Sequence, residues 1–444
     1  MAGGTWTSQN KALPGVYIRF KSAAAQTLTA GERGVVTICE PMSWGPVAQV
    51  TTVTPDMDLT TITGYDITDP HNRFLQEIFK GTNRTNAPTK VLLYRPTASS
   101  SAQAAVTEGQ LTATANYPGA RGNDISIVVT ALTEPESTFT VSTVVDGAVV
   151  DQQTGAKVSD LVNNDWVTWS GDGALSATTG AALTGGMDGT AQSAAYTAYL
   201  ASIEPYKFDI MIYDGEDSSV LTALQAFIKR MNDENGQYCQ LCAAEMENPD
   251  TRYIINVNSP ATLSDGTELT PQQVCWWAGG ASAGALYNQS LTFAQYPGVV
   301  STTMQTNAQI AQQLAAGDFV LFAEDGVVKV YQDINSLVTY TEDIGEVFRK
   351  NRVVRLLSTI ANDIYAQFSA NYIGVVNNNE SGRARFKAAI VGYLQDIQAN
   401  QGIQNFEADD VTVEPGTSID AIVVTVAIQV VDSVEKIYMT VEVS

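Results

Sequence analysis

Phe208-Asp209-Ile210-Met211-Ile212-Tyr213 is an apolar run with a single charge, and Asp214-Gly215-Glu216-Asp217 follows it directly. Beyond that acidic turn, Val220, Leu224, Phe227, Ile228 and Met231 recur at the spacing of one helix face. A buried strand, a turn and an amphipathic helix in this order form half of a β-α-β unit, which predicts a parallel sheet. Outward from it, 238–243 and 253–257 read as further strands, and Pro271 opens a helix in the first-turn position that proline tolerates. That helix carries Trp276, Trp277 and the small run AGGASAGA. Residues 190–340 are therefore expected to form an α/β domain whose sheet is covered on both faces.

Two more buried strands lie upstream, at 34–39 (GVVTIC) and 90–94 (KVLLY). Between them Asp69-Pro70 precedes Phe74, Leu75, Ile78 and Phe79, a short helix with its stop signal in front. Residues 21–98 are read as the N-terminal part of the same core. From 106 to about 184, within a domain read as 99–189, the composition turns to Thr, Ser, Val, Gly and Asp, alternating at 111–115, 125–130, 138–145 and 166–169. Turn pairs such as Asp146-Gly147 separate these stretches, which predicts an inserted β-sandwich between small-residue linkers at 96–105 and 185–195. Residues 341–444 read as an α+β C-terminal domain. It has helices at 341–372 and 383–400, then β structure over 411–443 with a hairpin turn at Asp432-Ser433.

Composition excludes most chemistry. The chain has 444 residues, a net charge of -23 and one histidine, His71. A Ser-His-Asp triad, a His-ligated metal or a His base would all have to use that residue, which is read as an exposed or capping side chain. Four cysteines cannot build a disulfide scaffold. Cys239 and Cys242 form a CxxC inside an expected strand, where the two side chains point to opposite faces, so the pair is read as structural. Asp214 to Asp217 stand where α/β folds place functional groups, but they also suit a helix N-cap, and the cap reading is preferred. Glycines 279, 280 and 284 are assigned to close helix packing.

Charge is uneven along the chain: +2 over 1–95, -19 over 96–328 and -6 over 329–444. This balance disfavours nucleic-acid binding, which needs a basic surface, and suggests that the middle is a solvated outer surface. No signal-like segment and no apolar run of membrane-spanning length are expected. Arg349, Lys350, Arg352 and Arg355 crowd one expected helix, and Arg383, Arg385 and Lys387 begin the next. They decorate a solvated surface or face an acidic partner.

Four stretches, in this order, carry a resemblance: NYPGARGN at 116–123, LTGGMDG at 183–189, AGGASAGALYNQSLT at 278–292 and LAAGDFVLFAEDGVVKVYQDINSLVT at 314–339. Together they resemble contractile tail sheath proteins of phages, contractile bacteriocins and phage-like tail particles, over about 15–444. The resemblance implies a subtilisin-like α/β domain with a β-sandwich insertion, a C-terminal domain and extended terminal β-arms. It implies a structural subunit, without catalytic residues, metal or cofactor, that stacks in helical rings around an inner tube and contracts.

Its implied partners are copies of itself, the tube protein, baseplate and terminator proteins, with no nucleic acid and no membrane insertion. Assembly is expected in the bacterial host cytoplasm. The arms would be 1–20, with Val16, Tyr17, Ile18, Arg19 and Phe20 as a strand lacking a local partner, and 437–444, with Ile437, Tyr438, Met439, Thr440, Val441, Glu442 and Val443. Arg349, Lys350, Arg352 and Arg355 are the expected tube-facing residues, with 383–387 in reserve. The other reading is a hydrolase or protease-like enzyme using the α/β domain.

Overall fold

A computed structural model describes residues 33–443 except 136, together with the backbone of Gly3–Gly4 and Val16–Tyr17. The chain divides into a larger unit, 32–362 with 432–444, and a smaller one that contains 363–431.

The larger unit is organised by seven strands: β1 (Val35–Cys39), β2 (Val50–Val53), β3 (Lys90–Tyr94), β4 (Ile210–Ile212), β5 (Gln240–Ala244), β6 (Ile254–Val257) and β7 (Asp318–Phe319). Their spatial order is β7-β6-β5-β4-β1-β3-β2. Every neighbouring pair is parallel except β2 on β3. Apart from the edge strand β2, the strands are buried on both sides, so their alternation sorts residues between two cores. Val36, Ile38, Val91, Leu93, Ile210 and Ile212 join one cluster, with Trp277 and Val274. Cys39, Leu92, Tyr94 and Met211 join the other, with Tyr199, Leu224 and Phe227. Cys239 and Cys242 fall in opposite clusters, and all four cysteines are free and buried, as a structural CxxC requires.

Helix α1 (Arg73–Ile78) follows the turn at Asp69, whose carboxylate accepts the His71 N–H at 2.9 Å. Helices α2 (Ser193–Ile203) and α3 (Ser218–Asp233) cover one face of the sheet. Asp217 caps α3 by accepting the Ser219 N–H at 2.8 Å, so the cap reading of that acidic turn holds. Helix α4 (Pro271–Gly284) lies on the other face behind a reciprocal Thr270–Gln273 capping box. A Cβ on Gly280 would sit 2.1 Å from the Ile78 carbonyl oxygen, so this glycine lets α4 approach the end of α1. Helix α5 (Asn307–Ala316) ends on Gly317 in the left-handed conformation, just before β7.

The insertion is a sandwich of two antiparallel sheets. One contains 148–155, 139–145, 125–131 and 181–182 in that order, the other 167–170, 111–115 and 105–108. Asp146-Gly147 makes the expected hairpin turn, both residues at positive φ. The linkers depart from expectation. Ala98–Ser99 pairs with Thr190–Ala191, and bridges at Ala102–Met187 and Ala105–Thr184 continue the contact, so the two ends run as an antiparallel ladder. Nor is the sandwich core its own alone. Trp44, which lies between β1 and β2, is fully buried within it against Tyr117 and Trp166, at ring distances of 5.3 and 5.1 Å.

The first two motifs meet at this root: the Gly186 N–H donates to Asn123 Oδ1 at 2.9 Å and the Ala120 N–H to Asp188 Oδ1 at 2.7 Å. Arg121 reaches back from the insertion to the Gly64 carbonyl at 2.8 Å, and Arg95 reaches out to the Pro118 carbonyl at 2.7 Å.

Helix α6 (Asn351–Asn371) begins ten residues later than the sequence suggested. Residues 341–350 fold instead as a turn closed by Ile344 onto Thr341 and a 3₁₀ turn at Glu346–Arg349, and extended backbone at Lys350 breaks the helical run. In the smaller unit, helix α7 (Glu380–Ala399) packs Ile390, Tyr393, Leu394 and Ile397 inward, and Phe386 stacks on Phe368 at 4.0 Å. Strands 411–415 and 422–426 form a hairpin, and 429–430 pairs with 403–404. The expected hairpin turn at Asp432-Ser433 is absent, because strand pairing ends at Val430 and 431–443 carries no strand. At the other end, Val16–Tyr17 pairs in parallel with Gly3–Gly4, so the expectation of a strand without a local partner does not hold for these two residues. Ile18, Arg19 and Phe20 lie outside the described residues.

Candidate assembly site

Among the described residues, the C-terminal segment carries the longest run of exposed large apolar side chains. Ile437, Tyr438, Met439, Val441 and Val443 are each at least 72% exposed. The segment has no strand partner among the described residues. Extended backbone with unmet donors and acceptors and uncovered apolar side chains costs free energy in water, and strand addition to another sheet relieves both terms.

The segment leaves a polar cluster that its sequence does not advertise. Glu435 accepts from Thr292 Oγ1 at 2.8 Å and from Gln332 Nε2 at 2.7 Å, and it is paired with Lys350. Nearby, Arg355 is fully buried and paired with the equally buried Asp333, and it also donates to Ser282 Oγ at 3.2 Å and the Gln289 carbonyl at 2.9 Å. Asp333 further accepts the Leu291 N–H at 2.9 Å and Asn351 Nδ2 at 3.0 Å. The last two motifs of the sequence therefore converge here: 278–292 supplies Ser282, Gln289, Leu291 and Thr292, and 314–339 supplies Gln332 and Asp333.

This geometry gives the first basic cluster partners within the chain. Arg355 is 0% and Arg352 8% exposed, Arg349 donates to the Leu314 carbonyl, and Lys350 is held by Glu435. Four bases in one stretch looked like a face for an acidic partner, but Arg349, Lys350 and Arg355 serve carboxylates and carbonyls of their own chain. Of the four, Arg355 is the one wholly closed off from the surface. The sequence missed this because Asp333 and Glu435 are distant in the chain. The second cluster is more open: Arg385 is exposed, and Lys387 lies 3.8 Å from a fully exposed Asp409.

At the carboxyl ends of β1 and β4, Glu40 and Asp214 are buried close enough to act on each other electrostatically, and Trp276 Nε1 donates to Asp214 Oδ2 at 2.8 Å. Burial, reinforced by Asp214, raises the Glu40 pKa well above the carboxylate range, and burial raises Asp214 too. His71 is exposed, bonds to Asp69 at 2.7 Å and stacks on Tyr65 at 4.0 Å. Among the described residues no three His, Cys, Asp or Glu side chains are grouped to hold a metal, and no helix is long and apolar enough to cross a membrane.

Comparison with known proteins agrees with this reading. Family profiles match nearly end to end: the tail sheath protein Gp18 domain III N-terminal region at 33–95, the phage tail sheath β-sandwich domain at 97–188, the central domain at 189–336 and the C-terminal domain at 343–444. Two Bacillus subtilis proteins align over the full length of both chains, the uncharacterized protein YqbK at 37% identity and the phage-like element PBSX protein XkdK at 35%. The crystal structure of a sheath tail protein from Desulfitobacterium hafniense is 39% identical, with 96% of this chain and 99% of that one covered and a TM-score of 0.87. The sheath of an extracellular contractile injection system, solved in its contracted state, shares the fold at 13% identity, covering 98% of each chain with a TM-score of 0.57. An α/β body with a β-sandwich insertion and a C-terminal domain, matched throughout by sheath relatives, makes this chain a member of the contractile tail sheath family: a structural subunit of a phage or phage-like tail, not an enzyme.

Proposed function

We propose that copies of this chain polymerise as stacked helical rings around an inner tube, and that contraction of the rings drives the tube through a target cell envelope. The observation that carries the reading is the uncovered apolar segment 437–443. Strand addition by this arm to a neighbouring copy, whose 411–426 hairpin offers sheet edges, links the rings; Val16 to Phe20 serve as the second arm. The larger unit is read as subtilisin-like in topology, which the order β2-β3-β1-β4-β5-β6-β7 supports. The inner tube, baseplate and terminator are the other partners, and assembly takes place in the host cytoplasm. Because Arg355 is buried and Lys350 is held by Glu435, the tube contact is read at Arg383, Arg385 and Lys387 at the start of α7. Electron microscopy of the expressed protein tests the reading: hollow tubes or rings are expected from the full chain, and folded, non-polymerising protein from a chain lacking 437–444. Normal tubes from the truncated chain would overturn the arm assignment.

A further inference from the structure

Glu435 marks an abrupt boundary. Its side chain is 11% exposed. Two residues later Ile437 is 79% exposed, and Tyr438 is 92%. Three separate parts of the larger unit hold its carboxylate: Thr292 in the loop after α4, Gln332 after the 321–330 hairpin, and Lys350 just ahead of α6. Thr292 Oγ1 also accepts the Asp333 N–H at 3.0 Å, so the hydroxyl is oriented by backbone while it donates to Glu435. Asp333 in turn grips Arg355 and Asn351 on the first turns of α6. The root of the exposed segment is thus bonded, through two carboxylates, to the start of that helix and to the end of α4.

We propose that Glu435 is the anchor of the C-terminal arm. It fixes the arm's exit from the body, so that a pull on the arm is delivered to α4 and α6 and is not lost in slack chain. A charged, multiply bonded anchor suits this role because charge-assisted hydrogen bonds are directional and shorter in reach than apolar contacts. An arm that leaves a fixed point also loses less conformational entropy when it docks than one tethered through loose residues. The proposal rests on reading 437–443 as an intersubunit arm.

The test uses the full chain and compares wild type with Glu435→Ala, Glu435→Gln, the exchange of Lys350→Glu with Glu435→Lys, and the truncation that lacks 437–444. Each is assayed for the protein concentration at which polymer first sediments, for thermal melting, and for hydrogen exchange over 286–293 and 430–443. Glu435→Ala is expected to raise the polymerisation threshold at least tenfold, with faster exchange at 432–436 and a melting temperature close to wild type. Glu435→Gln, which preserves shape and can still accept from Thr292, is expected to fall between the two. The charge exchange is expected to recover part of the loss, an outcome that mere packing would not give. If the truncation fails to polymerise while Glu435→Ala and Glu435→Gln both polymerise at the wild-type threshold, the anchor is refuted and the arm reading survives. If the truncation polymerises normally, the arm reading falls, and the anchor with it.

Discussion

At the scale of single residues, two buried charge pairs behave in opposite ways. Arg355 and Asp333 are both excluded from water, and each is satisfied by the other and by neighbouring donors and acceptors. Removing one partner strands the other charge in a dry site, so Arg355→Ala should cost about 3–5 kcal/mol in urea unfolding. Glu40 and Asp214 repel when both are ionised. The folded-state pKa of Glu40 lies above its ordinary value of 4.5, so the folded chain holds a proton that the unfolded chain releases. Stability from this group is complete below the ordinary carboxylate pKa and is lost as pH rises through the raised one. Cys39, Tyr196 and Tyr213 beside the pair are themselves pushed upward, mainly by burial, and stay neutral over that range. Glu40→Gln should therefore melt increasingly above wild type as pH rises beyond the ordinary carboxylate range, and the two should converge at lower pH. Parallel melting curves from acid to neutral pH would remove the raised Glu40 pKa from the account.

Elements were legible in the sequence where local pattern alone decides them. The strand at Ile210–Ile212, the Asp217 cap, the Pro271 start of α4 and the Asp146-Gly147 turn all follow from a few adjacent residues. The small glycines of α4 were also readable as packing residues. Gly280→Ala puts a methyl carbon 2.1 Å from the Ile78 carbonyl oxygen, which is backbone and cannot swing aside. It should destabilise by about 1–3 kcal/mol, the usual range for overpacking, measured by chemical denaturation. What the sequence hid was long-range. The late start of α6 depends on Asn335 bonding the Phe348 carbonyl and Lys350 pairing with Glu435. Nothing near residue 350 announces partners 15 and 85 positions away. For the same reason the alternating residues after Val430 looked like a strand of this chain, although no strand among the described residues receives them.

At the scale of the whole molecule, the 99–189 insertion sets the question of how independent its parts are. Its ends are antiparallel neighbours, with Thr190 opposite Ser99 and Ala191 opposite Ala98. Such ends can be joined by a short linker without moving the strands they come from, because paired backbones lie only about 5 Å apart. Contacts across the root argue the other way. Trp44 belongs to the body and is fully covered by the insertion. Arg121 supplies the Gly64 carbonyl with its donor, and Arg95 bonds the Pro118 carbonyl. Excision uncovers a tryptophan worth several kcal/mol of burial and leaves a large aromatic surface on the body. Replacing 99–189 by a short Gly/Ser linker should therefore yield aggregated protein. The same excision combined with Trp44→Ser should yield soluble body, because it removes the exposed ring and leaves the seven-stranded sheet and its two cores intact. Solubility, near-ultraviolet circular dichroism and polymer formation read the outcome. A soluble, cooperative excision product that keeps Trp44 would mean that the body tolerates the uncovered ring and that the shared core contributes little to its fold. Polymer formed by the double change would place the assembly contacts outside the insertion, as the position of Glu435 and the segment beyond it requires.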